Sequence, residues 1–136
     1  MSNTRYLSCM YARRLLFAQF VIVVVLSTFH SIALEHHLYW RFLWLDMPVH
    51  ILGGAWAGLF VFWLRVLLRL TSSIAWGVAG ALVFGVAWEI FEVAAGLPRE
   101  SSYALDTSLD LLMDALGGAL AGFCAMYYWR RRAREM

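Results

Sequence analysis

The sequence predicts an all-α protein, a single four-helix transmembrane bundle spanning residues 1–136 with both termini on the cytoplasmic side. Three observations lead there. Of 136 residues, 62% are hydrophobic and only 15% charged, against about half and a quarter in an ordinary soluble domain. Four apolar stretches are each long enough to cross a hydrocarbon core of roughly 30 Å, which takes about 20 helical residues. The arginines, finally, gather on one side of those stretches.

The first span covers residues 15–34 and holds no charge. It follows Arg13 and Arg14 as a signal peptide would, but it is too long for that, and Ser27-Thr28-Phe29-His30 offers no small-x-small cleavage site. We read it as retained. The second span, 46–69, carries His50 in its apolar part and ends among Arg65 and Arg69. The third, 73–96, is apolar except for Glu89 and Glu92; the fourth, 106–129, is interrupted by Asp106, Asp110 and Asp114. Nine arginines (5, 13, 14, 65, 69, 130, 131, 132 and 134) fall on one side and only Arg41 and Arg99 on the other. Excess arginine marks the cytoplasmic face. The formal charge of +2 therefore reflects topology and does not point to nucleic acid. Tyr39, Trp40 and Trp44 on one side, and Trp76, Tyr127, Tyr128 and Trp129 on the other, suit the two interfacial belts. Cys9 and Cys124 both lie towards the reducing compartment, so no disulfide is expected, and Cys124 reads as a small packing residue.

Helices two and four share a pattern. Asp46, Leu52, Gly53, Gly54, Ala55, Ala57 and Gly58 recur as Asp110, Leu116, Gly117, Gly118, Ala119, Ala121 and Gly122, all at an offset of 64. The two helices run in the same direction, which suggests two hairpins related by a pseudo-twofold axis along the membrane normal. Helices one and three show no such match. Gly54-x3-Gly58 and Gly118-x3-Gly122 let backbones approach closely, which places helices two and four at the bundle centre.

The polar residues fall at one depth. Asp46 and His50 are four apart and share a face, as do Asp106, Asp110 and Asp114, with some drift, and Glu89 with Glu92. His30, near the end of helix one, reaches the same layer but reads as a satisfied interior histidine. Some of these have simpler roles. Asp46 is placed to cap helix two, and Asp106 or Thr107 to cap helix four, with Thr107-x2-Asp110 as a capping box. Asp114, His50, Glu89 and Glu92 have no such account. Asp114 lies two turns inside its helix, and Glu89 and Glu92 sit at a helix C-terminus, whose dipole disfavours carboxylates. Each costs on the order of 3 kcal/mol in the membrane. Two carboxylates about 5 Å apart repel by roughly 3 kcal/mol even at an effective dielectric of 20. Shared protons or a cation must resolve this. A divalent Zn, Mn or Fe ion suits mixed carboxylate and imidazole ligands, with Asp46, His50, Glu89, Asp110 and Asp114 as candidate ligands. A proton-sharing network that merely holds the bundle together is the structural alternative.

Asp46-x3-His50-x2-Gly53, Trp88-Glu89-x2-Glu92 and Asp106-Thr107-x2-Asp110-x3-Asp114-x2-Gly117 resemble, in that order, the motifs of the VanZ-like membrane proteins and the related YjdF-type group. The resemblance covers residues 46–122. Glu92 and Asp114 stand where VanZ-like members usually have Gln and Asn, so the chain is more similar to the YjdF-type pattern. What the resemblance implies is a small bacterial polytopic membrane protein; it implies little about mechanism.

Two functions fit these residues. One is a bacterial inner-membrane, metal-dependent hydrolase or transferase acting on a lipid or lipid-linked head group at the extracytoplasmic side. There His50 and Glu92 are the catalytic candidates, Glu92 as general base on a metal-activated water. Arg99 is the candidate for binding substrate, although it and Arg41 are also placed to pair with Glu100 and Glu35. The other is a non-enzymatic envelope factor, or a small-solute or ion carrier, using the same acids. Four helices make a minimal carrier, and such a protein would call for a homodimer. A ferritin-like di-metal centre fits less well, since it needs Glu-x-x-His pairs and this chain has Glu89-x2-Glu92.

Overall fold

The computed structural model describes residues 3–96 and 103–134. Helix α1 runs Asn3–Glu35, a short α2 Leu38–Arg41, then a 3-10 turn Leu43–Leu45, α3 Asp46–Leu67, α4 Ile74–Ala95 and α5 Tyr103–Arg134. Four of these, α1, α3, α4 and α5, are long and apolar enough to cross a membrane, and no strand occurs among the described residues. The all-α bundle read from the sequence is the fold. The spans lie where the apolar stretches put them, but α1 and α5 extend well beyond: the 32 residues of α5 make a rod of roughly 48 Å at 1.5 Å per residue.

The surface shows which solvent the fold was made for. Phe17, Phe20, Val83, Ile90 and Phe123 are each at least 60% exposed, an arrangement that water penalises and lipid does not. The interior is built from small residues instead. Ala57 and Ala81 are fully buried, and Phe62 is the one large side chain among the described residues to be so. Cys124, expected to pack inside, lies on the outer face; it is two residues past the buried Gly122 and so points off the stripe that Ala121, Gly122 and Ala125 form.

Helices α3 and α5 form the central pair, as the glycine stripes predict. A Cβ on Gly54 would lie 2.6 Å from Asp114 Cα, and one on Gly58 3.0 Å from Gly118 Cα. Only hydrogen fits there. Helix α4 wedges against both, its Gly77 meeting the carbonyl of Gly118. Helix α1 leans mainly on α3 and is tied to α5 at one end, where the Tyr11 hydroxyl donates to the carbonyl of Ala125 at 2.8 Å and Tyr11 stacks with Tyr128. Arg14 lies over Tyr128 and Arg65 over Trp76 at that same end, with Arg65 also donating to the carbonyl of Thr71. The turn joining α3 to α4 takes Arg69 through the left-handed region, and Gly96, at φ 64°, ends α4 in the same conformation, which glycine adopts freely.

Candidate metal centre

The acids and the histidine collect at the opposite end of the bundle, on the α3–α5 seam. His50 is one turn into α3, buried, with its imidazole directed at α5. The two ring nitrogens face different partners. Nδ1 lies 3.3 Å from Asp114 Oδ2, while Nε2 lies 3.7 Å from Asp46 Oδ2 and 3.8 Å from Asp110 Oδ1. Asp110 and Asp114 are buried; the Asp46 side chain is 41% exposed and forms the open side.

These distances sort the residues. A carboxylate can only accept, so the Asp114 contact assigns the neutral ring's proton to Nδ1. The lone pair of Nε2 then faces two further carboxylates, at separations too long for hydrogen bonds. With the ring neutral and both carboxylates ionised, three acceptors face one another. Ligands around a tetrahedral ion, each about 2.0–2.1 Å from it, stand roughly 3.4 Å apart. One atom each from Asp46, His50 and Asp110 lies within 4.8 Å of the others, so closing the three around an ion takes a few tenths of an ångström at the two contacts to Nε2 and up to about 1.4 Å between the two carboxylates. They would leave a fourth position open.

The other sequence candidates are placed differently. Asp114 addresses the far nitrogen of the imidazole, the position from which a carboxylate orients a ligating histidine. Glu89, buried on α4, accepts from the Thr107 hydroxyl at 2.7 Å through Oε2, and its Oε1 is buried without a partner. Thr107 and Asp110 are three apart on α5 and Gly85, four before Glu89, meets Asp114, so Glu89 lies within about one turn of Asp110 along the α4–α5 seam. Glu92 is half-buried and accepts from Trp88 Nε1 at 2.8 Å. Asp106 falls in the first turn of α5, where a negative charge suits the helix dipole. His30 is satisfied as expected: its Nδ1 shares a 2.8 Å hydrogen bond with the Tyr39 hydroxyl. Burial, then the charge of Asp46, pushes the Tyr39 phenol up to about 12. Arg99 and Glu100 lie outside the described residues.

Two capping assignments give way. Residue 45 is the N-cap of α3 and makes no side-chain cap, while Asp46 turns to His50. Helix α5 begins at Tyr103, so Asp106 and Thr107 are already inside it, and the Thr107 hydroxyl is spent on Glu89 rather than on a helix end. Sequence reasoning thus missed the Thr107–Glu89 bond, because a threonine near a helix start reads as a cap.

His50 and Asp114, which meet, are 64 positions apart, as are Asp46 and Asp110, which flank the same nitrogen. Equivalent positions of the repeat face one another across the seam, as a twofold axis between parallel helices requires. Comparison of the chain with family models, curated proteins and solved structures found no match in any of the three.

Proposed function

We propose that this is a bacterial inner-membrane protein whose extracytoplasmic, intramembrane centre binds a divalent Zn, Mn or Fe ion for hydrolysis or group transfer at a lipid or lipid-linked head group. The observation that carries the reading is the confrontation of His50 Nε2 with Asp46 Oδ2 and Asp110 Oδ1 at 3.7 and 3.8 Å. A neutral imidazole's lone pair and two carboxylates repel unless a proton or a metal cation joins them, and separations longer than a hydrogen bond suit the metal. Three ligands with a fourth position open is the pattern of catalytic sites, where an ion lowers the pKa of water and polarises an ester or phosphoryl oxygen. The chain's own residues supply the rest. Asp114 fixes the imidazole. Glu89 joins Glu92 as a candidate base: each accepts one hydrogen bond through one oxygen, from Thr107 and from Trp88, and the buried Oε1 of Glu89 has no partner and can take a proton. The half-exposed Asp46 and the exposed Trp40, Phe42 and Trp44 preceding it suit a substrate that arrives along the membrane surface. The order of motifs that resembles VanZ-like and YjdF-type proteins supports the same residues.

Metal analysis of the purified chain tests this directly. We expect close to one equivalent of a transition metal retained by the native protein and none by His50→Ala. A protein that binds none of Zn²⁺, Mn²⁺ or Fe²⁺ overturns the centre; one that binds but turns over no envelope lipid overturns the enzymatic role.

A carrier using the same acids is the second reading. It is favoured by one observation, the meeting of repeat-equivalent residues at the seam, since carriers often place their site where repeats join. Uptake by proteoliposomes that is lost in Asp114→Asn would select it.

A further inference from the structure

Gly85 sits in the middle of α4 in ordinary helical conformation, since Gly96 is the glycine with positive φ among the described residues. Glycine there costs about 1 kcal/mol relative to alanine. Close approach of two backbones often accounts for such glycines in membranes, and does so for Gly77 and Gly118, whose added Cβ atoms would meet each other's carbonyl oxygens at 2.7 and 2.6 Å. Gly85 is different. Its nearest neighbours are side-chain atoms: an added Cβ would fall against Asp114 Oδ2, with Asp114 Cγ and Leu111 Cδ2 both at 3.1 Å.

Asp114 Oδ2 is the oxygen that lies on His50 Nδ1. We propose that Gly85 is a positioning residue for the centre: the space left by its missing side chain is what lets the Asp114 carboxylate reach His50 and fix the imidazole. Asp114 has little freedom to give way. Its backbone is pressed against Gly54 on α3, and Leu111, one turn earlier, fills the other side of Gly85. A methyl group at position 85 therefore swings the carboxylate away from Nδ1 instead of shifting the helix. On the far side of the carboxylate, a Cβ on Gly53 would sit 3.9 Å from Oδ1, an ordinary contact. Position 53 is open to alanine; position 85 is not. Helix α4 in this way governs a centre whose closest three groups come from α3 and α5.

The effect on metal affinity rests on the proposed metal centre; the effect on the imidazole does not. Two measurements on the full chain in detergent separate them. Co²⁺ titration should show about a ten- to hundredfold weaker affinity for Gly85→Ala, the usual cost of losing a carboxylate behind a ligating histidine, with Gly53→Ala within about threefold of the native protein. Added to Asp114→Ala, Gly85→Ala should cost less than about threefold more, because the two act through one contact. In the metal-free protein, at a pH where the ring is neutral, ¹⁵N shifts of the His50 ring should report the Nδ1–H form in the native chain and in Gly53→Ala, and a mixture of tautomers in Gly85→Ala. Native ring shifts in Gly85→Ala, or a full additional loss in the double variant, overturn the proposal. If the native chain binds no Co²⁺, the metal centre fails while the ring shifts still decide the role of Gly85. If Gly85→Ala does not fold, the double variant decides: folding restored by removing the Asp114 carboxylate supports the proposal, and continued misfolding overturns it.

Discussion

Replacing Gly54 by alanine isolates the contact on which the whole site is hung. The new Cβ would stand 2.6 Å from Asp114 Cα and 2.7 Å from its carbonyl carbon. Carbon atoms rest at about 3.5–4.0 Å, so α3 and α5 must part by roughly 1 Å. Both opposing atoms are backbone, which cannot rotate aside. Overpacking of this kind costs about 1–3 kcal/mol, against which the gain in helix propensity returns about 1 kcal/mol. Gly58→Ala is the internal scale: its Cβ would be 3.0 Å from Gly118 Cα, so the parting is smaller and the two terms nearly cancel. The same movement stretches the 3.3 Å contact between His50 and Asp114 beyond hydrogen-bonding reach. Reversible unfolding in mixed micelles should therefore rank native, Gly58→Ala and Gly54→Ala in falling stability, and only Gly54→Ala should lose Co²⁺ affinity strongly. Equal stability for the two variants, or a stable Gly54→Ala with native affinity, would refute the packing of α3 on α5 at this level.

Glu89→Gln should leave the unfolding midpoint unchanged or raise it, since it removes a buried carboxylate with one oxygen unpartnered, yet abolish turnover of a head-group substrate; a large loss of stability would instead mark Glu89 as a structural acid. Tyr39 should remain protonated well above pH 10, and because its folded pKa is raised to about 12, the stability it contributes is whole below pH 10 and is lost as pH rises through about 12; Tyr39→Phe should remove one late-titrating phenol from the tyrosinate absorbance curve. A fluorescent reporter that matures only in the cytoplasm should be bright at the C-terminus, and a phosphatase that works only outside should be active when inserted after His37; the reverse pattern would invert the proposed topology.

The spans were legible because lipid imposes so simple a code: about 20 apolar residues and a bias of arginine. The glycine stripes also told which helices are central, since in lipid close approach is the chief means of association. His50 with Asp46 could be read from their spacing of four; the contact of His50 with Asp114 appears only in the structure, although the two stand at the same 64-residue offset as the repeat. The division of labour could not be read. Whether Asp114 addresses the ion or the back of the imidazole depends on ring rotation, which helical spacing does not encode. Thr107 illustrates a second limit. Its identity fits a cap and a mid-helix donor equally, and the choice hangs on where α5 begins, one turn earlier at Tyr103. Gly85 was silent for a third reason: among ten glycines, nothing local separates one that faces a backbone from one that faces a carboxylate.

The acids of α5 also constrain how a nascent chain can be built. This helix is made after α3 and α4, and each aspartate within it opposes partition from the translocon into lipid by roughly 3 kcal/mol. Its glycines and acids find their complement on α3 and α4, at Gly54, His50 and Gly85. Entry of α5 is thus coupled to a receptive groove already standing in the bilayer, and a ribosome that stops short of it leaves a histidine and a glutamate in the membrane without the partners α5 brings.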